Sequence, residues 1–324
     1  MRTITIGPND AGQRLDKFMQ KLIPDMPKGL MYKLIRKKRI KYNGARCKGM
    51  EQLQSGDTLT LYISDEFFSA AKKPDFYKAA GRPDIVYEDS NILIVYKPVG
   101  MFAHSGNQKN AVCLIDEIQK YLYDKGEYHP ELEQTFSPAL CNRIDRNTEG
   151  LVIAAKNAEA LRAMNEVIRQ RFVDKCYLAV TAAPLPDKQA TLTAYLKKDS
   201  SQNKVRVSDT KPDDSWQEIR TQYRVLARDD RHDLVYIRLL TGRTHQIRAH
   251  LAHLGAPLLG DPKYGGNSRS EENQCLCAYS LKFSEVPFPV LSALNGKEFA
   301  VPLPSFVQSH FPEMTAEKLI SLLA

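Results

Sequence analysis

The sequence has no apolar run near the roughly 20 residues that a membrane-spanning helix needs. Its first residues, MRTITIGPNDAGQR, lack the apolar core of a secretory signal peptide. Six cysteines are present, at positions 47, 113, 141, 176, 275 and 277, and no two have CxxC spacing. We therefore expect a cytoplasmic protein that does not associate with membranes. We also expect reduced, mostly buried thiols, with neither a metal site nor a disulfide.

The short motifs of several common enzyme classes are absent as well. There is no GxGxxG after a strand, no HExxH, no GxSxG and no GxxxxGK[ST]. The glycine-rich segment GDPKYGG at 260–266 has the wrong spacing for a nucleotide phosphate loop. These absences favour chemistry without a cofactor, in which side chains alone act on an electron-poor carbon of the substrate.

Positive charge is concentrated in the first quarter of the chain. The net charge is +8, and residues 1–80 contain 16 Lys and Arg against 8 Asp and Glu, so that residues 81–324 are neutral overall. Arg36, Lys37 and Arg39 cluster at the end of a helix predicted over about 28–38. Such a cluster is typical of a surface that contacts the phosphate backbone of RNA or another polyanion. The alternative is a solvated basic face.

Element patterns divide the chain into a small module, a linker and a body. Residues 1–63 combine two predicted helices, an Asn43-Gly44 turn and an alternating strand over 58–63. Residues 64–83 have no clean period and contain two prolines, which is typical of a linker, and their aromatic residues suggest that parts of it pack on a neighbour. Over 84–324, apolar runs around turns predict hairpins, while 182–216 reads as long, polar and irregular, with weak strands in it. We expect a mainly antiparallel α+β body.

One stretch of the body places a carboxylate among cations. Residues 142–150 read NRIDRNTEG, with Asp145 between Arg143 and Arg146, directly before an apolar strand over 151–155. An adjacent cation favours an ionised carboxylate, and a rigid strand behind the loop can aim it. Asn157 is suited to cap a helix that follows the strand. From these residues alone, a surface ion pair in a turn is equally compatible.

A second stretch, TGRTHQIRAHLAHLG at 241–255, is rich in hydrogen-bond donors. We expect Thr244 to cap a helix that ends at Gly255, with His245 and Arg248 opposite its apolar face and Arg243 just before it. Such a helix start can contact a phosphate or hold a carboxylate. An amphipathic helix with a solvated polar face is the alternative.

Several segments together resemble the RluA family of RNA pseudouridine synthases. NRIDRNTEGLVIAAKN is similar to the family signature, usually His-Arg-Leu-Asp-x-x-Thr-Ser-Gly before an apolar strand, and KCYLAV at 175–180 is similar to its tyrosine motif. Residues 241–266 closely match a third motif, and 86–104 resemble the start of the catalytic domain. Residues 12–63 resemble the S4-like RNA-binding domain that often precedes it. The match follows the family's order over nearly the whole chain.

The resemblance implies an enzyme that flips specific uridines out of RNA and isomerises them to pseudouridine, without a cofactor. The nearest family members modify large-subunit (23S) ribosomal RNA, so the implied partner is that RNA or an assembling ribosomal particle, and the implied state is a monomer. The implied fold is α+β, with an S4-like domain over 1–63, a linker over 64–83 and a mainly antiparallel catalytic domain over 84–324.

The resemblance also implies roles for individual residues. Asp145 would be the catalytic carboxylate, Tyr177 would stack on the base and assist proton transfer, and Arg248 would pair with Asp145. Arg143 would hold the extruded nucleotide or its phosphate. Whether the Asp145 carboxylate attacks the base, attacks the sugar or abstracts a proton stays open.

Weaker implications concern four further positions. Arg243 and His245 would contact RNA. Asn142 and Glu149 replace the His and Ser of the usual signature, which would alter loop contacts with RNA and hence target choice.

Two other functions are weighed against this one. A noncatalytic RNA-binding factor of ribosome assembly would explain the basic module, but it has no need of an acid beside the phosphate-binding arginines. A glycoside-type hydrolase would need two carboxylates, and only Asp145 is well placed.

Overall fold

The computed structural model describes residues 1–68, 75–104, 112–199, 204–266 and 271–323. The first part is a small α+β module whose helices are α1 (Leu15–Leu22) and α2 (Lys28–Arg36) and whose strands are β1 (Arg2–Thr5), β2 (Ile40–Tyr42), β3 (Ala45–Arg46) and β4 (Thr58–Leu61). The strands form an antiparallel sheet in the order β1-β4-β2-β3. Leu15, Phe18 and Met19, three and four positions apart, are buried because they share one helical face.

The predicted turn of this module is confirmed. Asn43 and Gly44 join β2 to β3 at φ angles of 47° and 74°. A two-residue hairpin turn of this kind requires positive φ at both positions, which glycine and asparagine tolerate best.

The predicted linker is anchored at its two ends on different cores. Phe67 and Phe68 pack against the core of the first module. Phe76 is buried in the core of the body, where its ring centroid lies 5.8 Å from those of Tyr123 and Tyr128. The expectation that parts of this segment pack on a neighbour is therefore confirmed at both ends, while positions 69–74 lie outside the described residues.

The body contains one large sheet. Its strands within the described residues are β5 (Asp84–Glu88), β6 (Ile92–Lys97), β7 (Ala139–Leu140), β8 (Glu149–Ala155), β9 (Val173–Val180), β10 (Gln189–Asp199), β11 (Lys204–Ser208), β12 (Gln217–Arg228), β13 (Asp233–Leu239), β14 (Leu276–Phe283) and β15 (Glu298–Ala300). Nine take the order β11-β10-β12-β13-β9-β14-β8-β6-β5, while β15 pairs with β14 and β7 with β8. Among these pairings only that of β8 with β14 is parallel, which confirms the predicted, mainly antiparallel α+β body.

Helices lie on both faces of this sheet. They are α3 (Leu114–Asp124), α4 (Ala158–Gln170), α5 (Gln246–His253), α6 (Ser305–His310) and α7 (Ala316–Leu323). Ile92 and Ile94 of β6 pack into one core with residues of α4, α6 and α7, whereas Leu93 and Val95 pack into another with residues of α3 and α5. Because both faces of β6 and β8 are covered, these strands are apolar at nearly every position.

The weak strands expected within 182–216 are present as β10 and β11, but the segment is more regular than its sequence indicates. β10 is an 11-residue strand that pairs with β12 on one side and with β11 on the other. Of its residues only Ala194 and Leu196 are buried. A strand next to the edge of a sheet, with little of its surface buried, needs few apolar residues, so its sequence carries only a weak alternating signal.

Two further sequence expectations concern membranes and cysteines. In the part of the chain that the structure describes, no helix is both long and apolar enough to cross a membrane. Five of the six cysteines are buried and Cys141 is half-buried, as expected. Burial raises the pKa of the Cys141 thiol to about 12, so this group stays protonated near neutral pH.

Candidate active site

Asp145 and Arg248 form the centre of a buried charge cluster, although they are 103 positions apart. Arg248 Nη1 donates a hydrogen bond of 2.7 Å to Asp145 Oδ2. The same guanidinium makes two further bonds to Asp261, from Nε to Oδ2 at 2.7 Å and from Nη2 to Oδ1 at 2.8 Å. The bidentate pair with Asp261 fixes the plane of the guanidinium, and the remaining nitrogen holds one oxygen of Asp145.

Burial differs sharply within this cluster. The side chain of Asp261 is 0% exposed and that of Arg248 8%, whereas Asp145 is 26% exposed. Burial opposes the charge of Arg248, but its hydrogen bonds and charge interactions with Asp261 and Asp145 raise its pKa above the usual range. The cluster therefore presents a single accessible carboxylate backed by a permanently charged guanidinium.

The loop that carries Asp145 is shaped by the start of β8. Thr148 N donates to Asp145 O at 3.1 Å, and Gly150 follows with a φ of +117°. A Cβ on Gly150 would lie 2.3 Å from Ala278 O of β14, so only glycine allows these strands to approach. The glycine of the signature thus positions the loop through the one parallel strand pair.

Two of the positions that differ from the usual family signature, Asn142 and Glu149, make hydrogen bonds within the protein. Asn142 Oδ1 accepts a hydrogen bond of 2.7 Å from Ile153 N of β8. The Glu149 carboxylate accepts a hydrogen bond from the Tyr96 hydroxyl. Asn142 also borders the groove described below. An effect of either position on RNA contacts stays a prediction.

Lys97, at the end of β6, was not predicted as a site residue. Its side chain is fully buried, and its Nζ donates to Pro98 O at 2.8 Å, Met101 O at 3.0 Å and Arg146 O at 3.0 Å. Burial lowers the pKa of Lys97 to about 8, while the charge of Asp145 partly opposes this. One ammonium group therefore ties the loop after β6 to the loop that carries Asp145.

The start of α5 differs from the prediction. Thr244 does not cap the helix, because His245 is the residue before its first turn, with a φ of 53° and no capping bond from its own side chain. The turn is instead held by Gln246, whose Oε1 accepts from Arg243 N at 3.0 Å and whose Nε2 donates to Arg220 O at 3.0 Å.

The alternative reading of α5, with a solvated polar face, does not hold for its first six residues, Gln246 to Leu251, which are all buried. The helix is enclosed by the body, so Arg248 extends into the charge cluster and not into solvent.

His245 lies between Asp145 and a tyrosine. Its Nε2 is 3.8 Å from Asp145 Oδ2, and its Nδ1 is 2.9 Å from the hydroxyl of Tyr264. That hydroxyl accepts a hydrogen bond from Val205 N at 3.0 Å, so its own proton points to His245 Nδ1. Burial lowers the pKa of His245, although the charge of Asp145 opposes the change. A neutral imidazole with its N–H at Nε2, facing Asp145, fits these contacts.

A small cavity of about 60 Å³ brings the predicted residues together. Tyr177 of β9 is buried at its wall, and burial, followed by the charge of Asp145, raises the pKa of its hydroxyl so that the phenol stays neutral. Apolar walls and a buried ring beside one carboxylate suit a flat, uncharged ring. The six predicted residues that border the cavity are Arg143, Asp145, Tyr177, Arg243, His245 and Arg248.

A wider groove of about 560 Å³ shares Asp145, Tyr177 and several other residues with this cavity. It is bordered by cationic side chains, which are Arg143, Arg146, Lys175, Lys198 and Arg243. The guanidinium of Arg146 lies 4.7 Å from the ring centroid of Phe102, which also borders the groove. Cationic and aromatic groups of this kind suit a single-stranded polyanion with stacked bases.

The remaining predicted residues lie elsewhere. Arg36, Lys37 and Arg39 are exposed at the end of α2 in the first module and do not border this cavity or groove. These three residues therefore form a basic surface that is separate from the Asp145 cluster.

One group of possible metal ligands occurs in the body, formed by Glu271, Cys275 and His310, whose ligand atoms lie within 4.8 Å of one another. Glu271 Oε1 and His310 Nε2 are in direct contact at 2.8 Å. The side chains of Glu271 and His310 therefore satisfy each other's hydrogen bonding, and we interpret the group as a Glu–His pair beside the buried thiol of Cys275.

The sequence is similar to those of RNA pseudouridine synthases. A family model described as RNA pseudouridylate synthase matches residues 91–253. An uncharacterised RNA pseudouridine synthase of Mycoplasma capricolum subsp. capricolum is 30% identical over 92% of this chain and 96% of its own length. The ribosomal large subunit pseudouridine synthase C of Salmonella typhi is 32% identical over 82% of this chain and 80% of its own.

Solved structures support the fold. Human RNA pseudouridylate synthase domain containing 1 has a TM-score of 0.58 at 21% identity, covering 76% of this chain and 96% of its own. Human RNA pseudouridylate synthase domain containing 4 has a TM-score of 0.53 at 23% identity, covering 69% of this chain and 89% of its own. The family model and the relatives of 30% identity or more show that the chain belongs to the RluA family of RNA pseudouridine synthases.

Proposed function

We propose that this pseudouridine synthase acts on uridines of large-subunit ribosomal RNA, with Asp145 as its catalytic carboxylate. The relatives named ribosomal large subunit pseudouridine synthase C support the choice of RNA. The observation that carries the assignment of Asp145 is its bond to Arg248, a guanidinium already fixed by Asp261. A noncatalytic assembly factor is not favoured, because simple RNA binding gives no reason to build this cluster.

The reaction is an isomerisation, so substrate and product contain the same atoms. The bond between N1 of uracil and C1′ of the ribose breaks, the base turns, and C5 bonds to C1′ while the C5 proton is lost and N1 gains one. Asp145 promotes cleavage by attack on the base or sugar or by proton abstraction. Because Asp261 already orients the Arg248 guanidinium, Arg248 stabilises the Asp145 carboxylate without having to reorganise during the reaction.

Tyr177 and the cationic groove have supporting roles. The neutral ring of Tyr177 stacks on the uracil, and its hydroxyl assists proton transfer at the base. Arg143 holds the extruded nucleotide or its phosphate, and Arg243 and His245 contact the RNA beside it. Extrusion of a base costs a few kcal/mol in a duplex and less in loops, so loops and bulges are the expected targets.

The first module extends this function to substrate capture. We assign residues 1–63 as an S4-like RNA-binding domain whose exposed Arg36, Lys37 and Arg39 contact the phosphate backbone. A cytoplasmic monomer acting on free RNA or an assembling particle completes the proposal.

The first test is substitution of the catalytic carboxylate. Asp145→Asn removes the charge while Arg248 keeps both bonds to Asp261, so we expect a folded protein. Tritium release from RNA labelled at uridine C5 should fall by at least roughly a thousandfold, as for other essential catalytic groups. RNA affinity, measured by filter binding, should stay within about threefold.

A matched control is Asp124→Asn, because that carboxylate is 50% exposed and is bonded to Lys120 on the same helix. This variant should keep full activity. Isomerase activity retained by Asp145→Asn would rule out the role assigned to Asp145.

The RNA target has its own test. Pseudouridines are mapped in ribosomal and transfer RNA from cells with and without the gene. Loss of specific sites in the large-subunit RNA is the expected result, and loss confined to transfer RNA would contradict the proposed substrate.

A further inference from the structure

The loop between β1 and α1 joins the first module directly to the body. Asn9 makes two contacts, with Nδ2 donating to Glu133 Oε1 at 2.7 Å and Oδ1 accepting from Ala158 N at 3.0 Å. Asp10 is 1% exposed and accepts a hydrogen bond from the hydroxyl of Thr135. A carboxylate buried at a junction, with a partner from the other side, indicates a specific contact surface.

Further bonds continue this contact along the loop. Gln13 Nε2 donates to Thr135 Oγ1 at 3.3 Å, and Arg162 Nη1 donates to Ala11 O at 3.2 Å. The loop is equally well attached to its own module, because Gly12 N donates to Leu53 O at 2.8 Å and Leu53 N donates to Gln13 O at 3.0 Å. Residues 9–13, which we call the docking loop, are therefore bonded to both parts of the chain and fix the position of the module relative to the body.

The body side of this contact is connected by a single strand to the loop that carries Asp145, which we call the catalytic loop. Ala158 is the first residue of α4, and its helix follows directly after β8, which begins four residues after Asp145. A strand rises about 3.3 Å per residue, so β8 separates the docking loop from the catalytic loop by roughly 20 Å. β8 is fully buried beyond its first residue, so this separation is rigid.

We propose that the docking loop holds the first module at a fixed distance from Asp145, so that the module selects which uridine is modified. The inference rests on the proposed RNA-binding role of that module. A module on a free tether would raise the local concentration of RNA near the active site without favouring one uridine over its neighbours. A docked module instead contacts the RNA at a set distance from the extruded base.

The test separates position from affinity with variants on both sides of the contact. Asn9→Ala removes the module's bonds to Glu133 and Ala158, while Thr135→Val removes the body's bond to Asp10 and leaves the module unchanged. Gln134→Ala is the matched control, because Gln134 is exposed next to Thr135. Spin labels at Lys17→Cys and Lys318→Cys, both exposed positions, report the distance between module and body.

Three quantities are measured on the full chain. They are the distribution of label distances, the dissociation constant for the ribosomal RNA fragment, and the pseudouridine yield at the target and at neighbouring uridines. In both docking variants we expect a broader distribution, an affinity within about twofold of wild type, and a target rate at least fivefold lower with more modification of neighbours. Gln134→Ala should match wild type in all three.

Several outcomes would overturn the inference. One is an unchanged, narrow distance distribution, which would mean that these contacts do not hold the module. A second is a broad distribution with unchanged rate and selectivity, and a third is a rate loss fully explained by weaker binding. Failure of the proposed function is separately visible, because wild type would then form no pseudouridine in this RNA.

Discussion

The charges that the active site buries have partners distant in sequence. Arg248 binds Asp145 across 103 positions, and Lys97 binds the Arg146 carbonyl across 49. Removing Arg248 would leave the fully buried Asp261 without its cationic partner, which is more costly than losing a surface pair. The identity of these side chains is therefore constrained by structure as well as by chemistry.

Lys97 leads to a prediction about pH. Its pKa is about 8 in the folded state against about 10.5 for an exposed lysine, so burial of the charge costs stability below pH 8. Between pH 8 and 10.5 the unfolded chain binds the extra proton, so the free energy of unfolding of wild type should rise relative to Lys97→Met. The difference should change by at most about 1.4 kcal/mol per pH unit in that window.

Urea unfolding of both proteins between pH 7 and 10 measures this difference. Lys97→Met should also lose activity at pH 7, because the ammonium group that ties the loop after β6 to the loop carrying Asp145 is lost. A difference in stability that is flat over the whole pH range would show that Lys97 does not titrate near 8.

Sequence reasoning reached part of this site. Arg143, Asp145 and Arg248 were chosen from the density of charge in two stretches, and the resemblance gave them roles. Asp261 was considered only as part of the glycine-rich segment at 260–266, and Lys97 was not predicted as a site residue. A buried charge has no periodic signature, and its role depends on which distant group it meets, so neither could be identified from local pattern.

Among strands and helices, the contact of β8 with β14 sets the position of the catalytic loop. We expect Gly150→Ala to be strongly destabilising, because the added Cβ would lie 2.3 Å from the Ala278 backbone and φ is +117°. Gly126→Ala is the control, since Gly126 has a φ of +76° and open space around its Cβ position. It should cost only the strain of a left-handed residue, about 1 to 2 kcal/mol.

Thermal unfolding of the two variants isolates the effect of the clash from that of backbone strain. Equal losses of stability would mean that β8 and β14 separate easily. Comparing the rates of tritium release by the same two variants tests whether the contact between β8 and β14 also positions Asp145.

Strands buried on both faces were the easiest elements to predict, because 92–95 and 151–155 are continuous apolar runs. β10 was predicted only as a weak strand within 182–216, since a strand near the edge of the sheet with a polar surface has little pattern. α5 was predicted as a helix whose start could hold a carboxylate, and Arg248 does bind Asp145. The burial of Gln246 and His250 could not be predicted, because an amphipathicity argument assumes that polar residues face water.

For the chain as a whole, the uneven charge distribution predicts how RNA binding depends on salt. Replacing Arg36, Lys37 and Arg39 together by Ala should weaken binding and lower the slope of log affinity against log salt by about 2 to 3, since each phosphate contact contributes roughly 0.7 to 0.9. The modification rate at saturating RNA should change little.

The control replaces three exposed lysines of the body, Lys211, Lys282 and Lys318. It has the same change in net charge, so it separates local contacts from general attraction. Equal changes in slope for the two triple variants would argue against a dedicated binding surface on the first module.

The parallel contact of β8 with β14 also has a consequence for biosynthesis. The first module makes its sheet and core within residues 1–63, so we expect it to fold soon after it leaves the ribosome. The catalytic loop cannot be completed until β14, which ends at Phe283, has been made. At typical elongation rates of 5–20 residues per second, these events are roughly 10 to 40 seconds apart. With the RNA-binding role that we propose for the first module, a nascent chain would hold RNA during that interval before it could modify it.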